Sequence, residues 1–356
     1  MQTALTSMIE RIRAAADAAT PLRIRGGGTK DFYGQALHGQ ILDTTALAGI
    51  SAYEPSELVI TAGAGTRLAD IEAALAGRGQ CLPFEPPHFG AGATLGGMVA
   101  AGLAGPARAS VGSVRDYVLG LELVNGRGEA LSFGGQVMKN VAGYDVSRLL
   151  AGSLGTLGLI TSVSLKVLPL PVAEASLRFE AAEADALTRL QTWAAQPLPL
   201  NASCWHDGQL TLRLRGARAA VDAACRKLGG DLLDPSQAQA FWQSLREQSH
   251  AFFDLDRHES LWRLSVPDTA APLQLGQSLI EWGGAQRWLK APSDQLKRLR
   301  HHAVSAGGHA TRFRGPDALQ EVFTPLSAPL ERIQRGLKQQ FDPVGIFGHG
   351  RLYRGW

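Results

Sequence analysis

Short apolar runs separated by polar and glycine-rich stretches predict a first half built mainly of strands. Four segments are rich in β-branched and apolar residues, and we predict strands at residues 22–24, 58–62, 119–124 and 157–168. One helix is expected among them, because Leu68, Ile71 and Leu75 recur at helical spacing. Thr66 is placed to cap the start of this helix and Gly77 to end it.

The second half alternates strand-like and helix-like patterns. We expect strands at 176–180, 201–216 (a pair), 260–267 and 285–289, and helices at 182–195, 218–228, 272–282 and 293–306. Two such β-α-β passes predict an α+β fold with an antiparallel sheet and helices on one face. The pairs Asn125-Gly126 and Asp207-Gly208 predict hairpin turns, and a long amphipathic helix is expected at 319–341.

The spacing of glycine and proline suggests where the chain divides. A length of 356 residues is typical of two domains. Glycines crowd between Gly26 and Gly158, and Pro169 and Pro171 mark the change in pattern that follows. We therefore expect a first domain at residues 1–172 and a second at 173–356.

Charge and cysteine content narrow the function classes. With 35 Lys plus Arg against 32 Asp plus Glu, the net charge of +3 predicts no nucleic-acid partner. The three cysteines form no CxxC pair, which favours a reducing compartment, and we expect a cytoplasmic protein. Glu10 and Arg11 interrupt any signal-peptide core, and no segment is long and apolar enough to predict a transmembrane span.

A glycine run after the first strand is the first candidate site. Three consecutive glycines let the backbone turn with positive φ, and successive N–H groups there can form an anion-binding nest. Arg25 and Lys30 flank the run and could add charge-assisted bonds to a pyrophosphate. The alternative is an ordinary turn with solvated cations. Asp31 and the lack of a long following helix argue against a Rossmann fingerprint.

Two further segments are poor in large side chains. Residues 91–105 are nearly all small, which would let the backbone approach a planar ring system, although tight packing between two elements is the alternative. Gly152, Gly155 and Gly158 leave the main chain accessible before the last predicted strand of the first domain.

The three segments together carry a family resemblance. RGGGTK, ATLGGMVAAG, SVRDYVLGLELV and KNVAGYDVSRLLAGSLGTLGLITSVSLKVLP, in this order, resemble the FAD-binding domain of the vanillyl-alcohol oxidase and p-cresol methylhydroxylase (PCMH) superfamily. The likeness covers about half the chain. Within the superfamily the chain is similar to D-lactate and glycolate oxidase flavoproteins. AGGHATRFRG and the closing FDPVGIFGHGRLY resemble the smaller, FAD-binding E subunits of bacterial glycolate oxidases.

The resemblance implies a two-subdomain PCMH-type FAD-binding domain, then an α+β cap whose C-terminal segment returns to the first domain. It implies non-covalent FAD, because Thr29 stands where some members carry a flavin-linked histidine. The implied cofactor-binding residues fall into three groups. They are Arg25, Gly26, Gly27, Gly28, Thr29 and Lys30 at the pyrophosphate, Thr94, Gly96 and Gly97 along the flavin, and Arg115, Gly158 and Ile160 completing the pocket.

Candidates for substrate chemistry are sparse. Catalytic relatives carry a histidine-rich H-x-G-x-G-N-x-H motif, and this chain lacks it. His309 and Arg312 are the best remaining base and cation, on a strand predicted at 310–313, with structural pairing as the alternative. We expect Arg351 to dock the C-terminus rather than bind substrate. We predict no metal site, because adjacent His301 and His302 diverge on a helix.

The favoured function is therefore an FAD-binding subunit of a glycolate oxidase complex, acting on glycolate and D-lactate-like hydroxy acids. The resemblance implies a larger flavoprotein subunit and an iron–sulfur subunit as partners, with peripheral membrane association through the complex. A self-sufficient hydroxy-acid oxidoreductase and a catalytically silent scaffold are the alternatives. Residues 241–262, with Trp242 and Trp262, suggest an interface loop, and cap core is the other reading.

Overall fold

The computed structural model describes residues 2–135, 145–316 and 321–355. The α-helices are α1 (Gln2–Asp17), α2 (Leu68–Ala76), α3 (Leu95–Ala101), α4 (Arg108–Val111), α5 (Val114–Tyr117), α6 (Glu183–Ala194), α7 (Arg218–Leu228), α8 (Pro235–Arg246), α9 (Leu296–Ser305) and α10 (Ala328–Phe341). The strands are β1 (Leu22–Arg25), β2 (Gln40–Asp43), β3 (Ile50–Glu54), β4 (Val59–Gly63), β5 (Gln80–Cys81), β6 (Val118–Val124), β7 (Ala130–Gly134), β8 (Leu159–Lys166), β9 (Leu168–Pro169), β10 (Ala173–Glu180), β11 (Leu200–His206), β12 (Gln209–Gly216), β13 (Asp231–Leu232), β14 (Glu259–Ser265), β15 (Ser278–Glu281), β16 (Gln286–Pro292) and β17 (His309–Arg314).

The chain forms two compact units. Unit 1 comprises Met1–Leu103, Ser113–Pro169 and Ala318–Trp356, and unit 2 comprises Ala104–Gly112 and Leu170–Asp317. Unit 1 contains a five-stranded antiparallel sheet of order β3-β4-β8-β6-β7, a parallel pair β1-β2, and a short pair β5-β9. The C-terminal segment belongs to the same unit as the glycine-rich loops.

The core beside β1 explains how the C-terminus is held in unit 1. Met8 and Ile12 lie one helical turn apart on α1 and pack with Leu22 and Phe347 in one buried cluster. Leu22 also bridges Phe347 in parallel, and the Leu22 N–H donates to the Ile346 carbonyl oxygen at 2.7 Å. Residues 346–347 therefore extend the β1-β2 pair by main-chain bonds.

Unit 2 is built on an eight-stranded antiparallel sheet of order β13-β10-β12-β11-β15-β16-β14-β17. Leu190 of α6 and Val221 of α7 pack against Leu212 of β12. Leu299 of α9 packs against Trp262 of β14, which is fully buried. The predicted α+β class with an antiparallel sheet is confirmed. Most of the predicted elements form, and Asp207 (φ 50°) and Gly208 (φ 74°) make the predicted hairpin turn between β11 and β12.

The helix predicted at 272–282 is wrong. Ser278–Glu281 forms β15, which pairs with β11 on one side and β16 on the other, and its four residues are all buried. The two neighbouring strands satisfy its backbone hydrogen bonds, so tertiary pairing overrides the local helical pattern. The helices α1 and α8 were not predicted.

Two local predictions also need correction. Thr66 does not cap α2, since its hydroxyl donates to the Gly63 carbonyl oxygen at 2.7 Å and accepts from the Gly49 N–H at 2.9 Å. The β6-β7 hairpin forms, but its turn is longer than the two-residue Asn125-Gly126 type. The residue with positive φ is Gly128, at 71°, and the Asn125 N–H donates to the Glu129 carbonyl oxygen.

The predicted interface loop at 241–262 is core instead. The exposed fractions of Trp242, Phe252, Phe253 and Trp262 are 3%, 4%, 3% and 0%, which leaves none of these rings available to a partner.

The C-terminal helix begins at Ala328, because prolines upstream and at its first turn prevent an earlier start.

Part of the predicted pattern lies outside the described residues, namely positions 319–320 and most of the KNVAGYD motif. Over the ranges that the structure describes, no helix combines the length and hydropathy needed to cross a membrane.

Candidate cofactor site

A cleft of about 980 Å³, including the space at its open mouth, lies entirely within unit 1. It brings together almost all residues predicted to bind a cofactor, from three segments that are far apart in the chain. They are Arg25, Gly26, Gly27, Gly28, Thr29, Lys30, Thr94, Gly96, Gly97, Gly158 and Ile160.

The first wall is the glycine run that follows β1. A β-carbon on Gly26 would stand 2.3 Å from Thr94 Oγ1, and one on Gly27 would stand 1.5 Å from the Gly92 carbonyl oxygen. Gly28 has φ 71°, a conformation that side chains with a β-carbon disfavour. Two stretches of backbone meet at Gly27, and because of this close approach only glycine fits there.

The backbone N–H groups of this run are available to a ligand. Among the described residues, the N–H groups of Gly26, Gly27, Gly28 and Thr29 find no protein acceptor. Buried or clustered amides normally have partners, and consecutive unpaired ones suit the oxygens of a phosphate. The run therefore has the chemistry of an anion cradle.

The cations beside the run are engaged by the protein. Arg25 Nε donates to Asp31 Oδ2 at 2.9 Å, and Arg23 pairs with the same oxygen. Lys30 Nζ donates to the His88 carbonyl oxygen at 3.1 Å. Two arginines thus share one carboxylate, which leaves the rim of the cleft positive while fixing the side chains in place.

The second wall begins at Thr94, the N-cap residue of α3. Thr94 Oγ1 accepts from the Gly97 N–H at 3.3 Å, and the Gly96 N–H donates to the Ala64 carbonyl oxygen at 2.7 Å. A β-carbon on Gly96 would lie 2.8 Å from the β-carbon of Ala64. The small residues therefore let α3 pack closely on the end of β4 while its first turn lines the cleft.

The third wall is the turn that enters β8. Gly158 has φ 152°, and a β-carbon there would lie 2.6 Å from Leu123 Cδ1. Ile160 is 6% exposed and reaches the same cleft from the strand. Glycine is needed at this turn because the main chain passes directly over β6.

The C-terminal segment supplies a fourth part of the lining. Arg351 is 6% exposed and donates to the carbonyl oxygens of Asp31, Tyr33 and Gln35, the first at 3.0 Å. Burial lowers the pKa of Arg351 to about 10, so its guanidinium stays charged at neutral pH. The expected docking role is confirmed: this arginine ties the C-terminus to the loop that follows the glycine run.

Three predicted residues lie elsewhere. Arg115 lines a separate cavity of unit 1 with Leu149 and Leu337. His309 and Arg312 belong to β17 of unit 2. Arg312 is 4% exposed and its Nε donates to Ser260 Oγ at 2.9 Å.

The imidazole of His309 is neutral at pH 7. Desolvation of the ring, and then the charge of Arg263, lower the pKa of His309.

The sequence reading missed several lining residues, including Arg23, Asp31, His38 and Gly348. A signal for Arg23 was present: it stands two residues from Arg25 on β1, and alternate residues of a strand share a face. Gly348 lies in the closing FDPVGIFGHGRLY motif, which was expected to return to the first domain without being assigned to the cofactor.

Comparisons with known proteins agree with this geometry. A family model described as an FAD binding domain matches residues 5–134. The glycolate oxidase subunit GlcE of Escherichia coli is 50% identical over 350 residues, covering 98% of this chain and 97% of that protein. A D-lactate dehydrogenase of Archaeoglobus fulgidus is 36% identical over 403 residues, covering 96% of this chain and 88% of that protein. A solved structure of alkyldihydroxyacetonephosphate synthase shares the fold, with a TM-score of 0.65 at 14% identity over 96% of this chain and 74% of that one.

The fold and the glycine-walled cleft define an FAD-binding protein of the PCMH type. The chain belongs to the family of FAD-dependent oxidoreductases that contains the glycolate oxidase subunit GlcE. The resemblance drawn from the sequence motifs is confirmed, and FAD is the cofactor of the family.

Proposed function

We propose that this chain is the FAD-bearing subunit of a complex that oxidises glycolate to glyoxylate. The observation that carries the proposal is the match to GlcE across both units, in a chain whose glycine walls form one cleft. Related 2-hydroxy acids such as D-lactate belong to the same substrate class, which the relative from Archaeoglobus fulgidus supports.

The cleft fits FAD by the chemistry of its walls. The unpaired N–H groups of residues 26–29 would bind the pyrophosphate, and Gly96 and Gly97 would admit a flat ring system against the backbone. When bound, FAD supplies a two-electron acceptor for the oxidation of a hydroxy acid. The side chain of Thr29 has no ring nitrogen for a flavin link, so we infer that FAD is held without a covalent bond.

Electrons would leave through partner subunits, which we infer to be a larger flavoprotein and an iron–sulfur protein. This chain has only three cysteines, and they lie on different elements: Cys81 on β5, Cys204 on β11 and Cys225 on α7. An iron–sulfur cluster needs four ligands from one place. Three free thiols also suit a cytoplasmic complex, with any membrane association provided by partners.

His309 and Arg312 remain our proposal for the substrate chemistry of this chain. A neutral imidazole can take the hydroxyl proton, and a guanidinium can bind the carboxylate. The lowered pKa of His309 supports a role as base at neutral pH. Arg312 is buried and bonded to Ser260, so structural pairing is the alternative to carboxylate binding for this arginine.

Anaerobic addition of glycolate to the isolated chain and to the complex tests the proposal. We expect the flavin absorbance of the complex to bleach and that of the isolated chain to persist. Bleaching of the isolated chain would make it self-sufficient, and an inert complex would refute glycolate oxidation. In the same assay His309→Ala should slow bleaching without loss of flavin, and unchanged rates would remove His309 from the chemistry.

A further inference from the structure

The helix α10 carries an apolar stripe of which only one end is covered. At its C-terminal end Phe341 packs against Phe133, with ring centroids 6.1 Å apart, and Lys338 bonds to carbonyl oxygens of unit 1. Towards the N-terminal end the exposed fractions of Leu330 and Ile333 are 51% and 60%. Leu330 and Ile333 stand seven and four residues before Leu337, so the three share one face of the helix.

A cavity continues this apolar face. It has a volume of about 710 Å³, including the space open to solvent, and is lined by Gln334 and Leu337 of α10 together with Leu149, Leu157 and Leu352. Leu149 is itself 38% exposed. We call Leu149, Leu330, Ile333, Leu337 and this cavity the α10 groove. Large exposed apolar side chains that adjoin a cavity are typical of protein-binding surfaces.

The rim of the α10 groove is positively charged. Arg115 lines the cavity and Arg332 lies on the exposed side of α10. The charge of Arg115 helps to lower the pKa of the neighbouring Asp116, whereas Arg332 has no ion pair among the described residues. The acidic groups nearest in sequence are already used: Asp116 accepts from Ser113, and Glu331 pairs with Arg335. An occupant with acidic groups beside apolar ones would complement this rim.

We propose that the α10 groove docks the larger flavoprotein subunit through an apolar segment flanked by acidic residues. This inference rests on the proposed function, because it takes its partner from the complex proposed there. Burying Leu330 and Ile333 supplies the apolar centre of the contact, while Arg115 and Arg332 orient the acidic flanks.

Co-purification of the full chain with the tagged larger subunit from co-expressing cells tests the groove. Ile333→Asp and Leu330→Asp should each reduce the retained chain by about tenfold or more, because an unpaired charge would be buried. Arg332→Glu should weaken the complex and reduce its sensitivity to salt. Ile41→Asp is the matched control, since Ile41 is 45% exposed on β2 of the same unit, and it should leave the complex intact.

Three outcomes would overturn the inference. One is a complex that withstands Ile333→Asp as well as Ile41→Asp. Another is a wild-type chain that does not bind the larger subunit. The last is a wild-type dimer that Ile333→Asp converts to monomer, which would make a second copy the occupant. Flavin content is measured on every sample, so a chain without FAD would count against the proposed function, whereas a persistent complex with FAD counts only against the groove.

Discussion

The α-carbon of Gly27 lies so close to the main chain at Gly92 that a β-carbon would stand 1.5 Å from the Gly92 carbonyl oxygen. Gly27→Ala must therefore push two walls of the cleft apart. We expect purified Gly27→Ala to retain less than about a tenth of the wild-type flavin, from a loss of roughly 1.4 kcal/mol or more in binding. Flavin absorbance per chain gives the measurement.

Gly336→Ala is the control for this change, because a β-carbon at Gly336, on α10, would meet no atom within 4 Å. That variant should keep its flavin. A Gly27→Ala protein with full flavin content would remove the glycine run from the site.

Arg351 should matter for both stability and cofactor retention. Arg351→Ala leaves the carbonyl oxygens of Asp31, Tyr33 and Gln35 without their donor, and we expect the free energy of unfolding to fall by about 3 kcal/mol. Flavin content should fall as well, since these carbonyls follow the glycine run. Urea unfolding followed by circular dichroism measures the first effect. A variant as stable as the wild type would contradict the docking role.

The buried pair Lys338–Asp342 is expected to hold the C-terminal turn. Lys338 Nζ lies 2.5 Å from Asp342 Oδ2, and the Asp342 carboxylate also accepts from the N–H groups of Ile346 and Phe347. Asp342→Asn leaves a buried ammonium without its counter-charge, and burial already lowers the pKa of Lys338. We expect a loss of about 3 kcal/mol in urea unfolding.

A surface pair on the neighbouring helical turns provides the comparison. Glu331 and Arg335 form an exposed ion pair, and Glu331→Gln should change stability by less than about 1 kcal/mol. Equal losses of unfolding free energy in Asp342→Asn and Glu331→Gln would show that the buried pair stabilises the chain no more than the exposed pair does.

His250 should make unit 2 sensitive to acid. Burial, and then the charge of His206, lower the pKa of His250 below 6.5. Below pH 6.5 the unfolded chain therefore binds a proton that the folded chain resists, and stability falls as the pH drops towards the folded pKa. Well above pH 6.5 the ring is neutral in both states and contributes no pH dependence.

The test is the urea midpoint of wild type and His250→Asn at several pH values between 7.5 and 5. Asparagine can still accept from the Phe252 N–H, as His250 Nδ1 does at 3.2 Å. The variant should lose less stability on acidification than the wild type. Replacing exposed His258 in the same way reports the effect of removing an imidazole from the surface. Parallel curves for wild type and His250→Asn would contradict the assignment.

The glycine loops could be predicted because their role depends on backbone without side chains, and the sequence shows directly which positions are glycine. Gly26, Gly27 and Gly96 meet in one cleft as expected, since a β-carbon at any of them would collide with a neighbouring segment. Arg115 was assigned to the same pocket but lines another, because the direction of a long side chain depends on how α5 packs. Local patterns cannot determine that packing.

The same limit explains the error at β15. Residues 278–281 have no strong strand pattern of their own, and two partner strands from distant parts of the chain determine their conformation. The roles of Arg351 and Gly348 depend likewise on the return of the C-terminus. Contacts within one loop could be predicted from the sequence, whereas contacts between distant segments needed the structure or the family resemblance.

The flavin content of the purified chain, read from its visible spectrum before and after acid precipitation, tests the central claim most directly. The account predicts close to one FAD per chain, all of it released into the acid supernatant. A colourless chain that takes up no FAD at saturating concentration would contradict it.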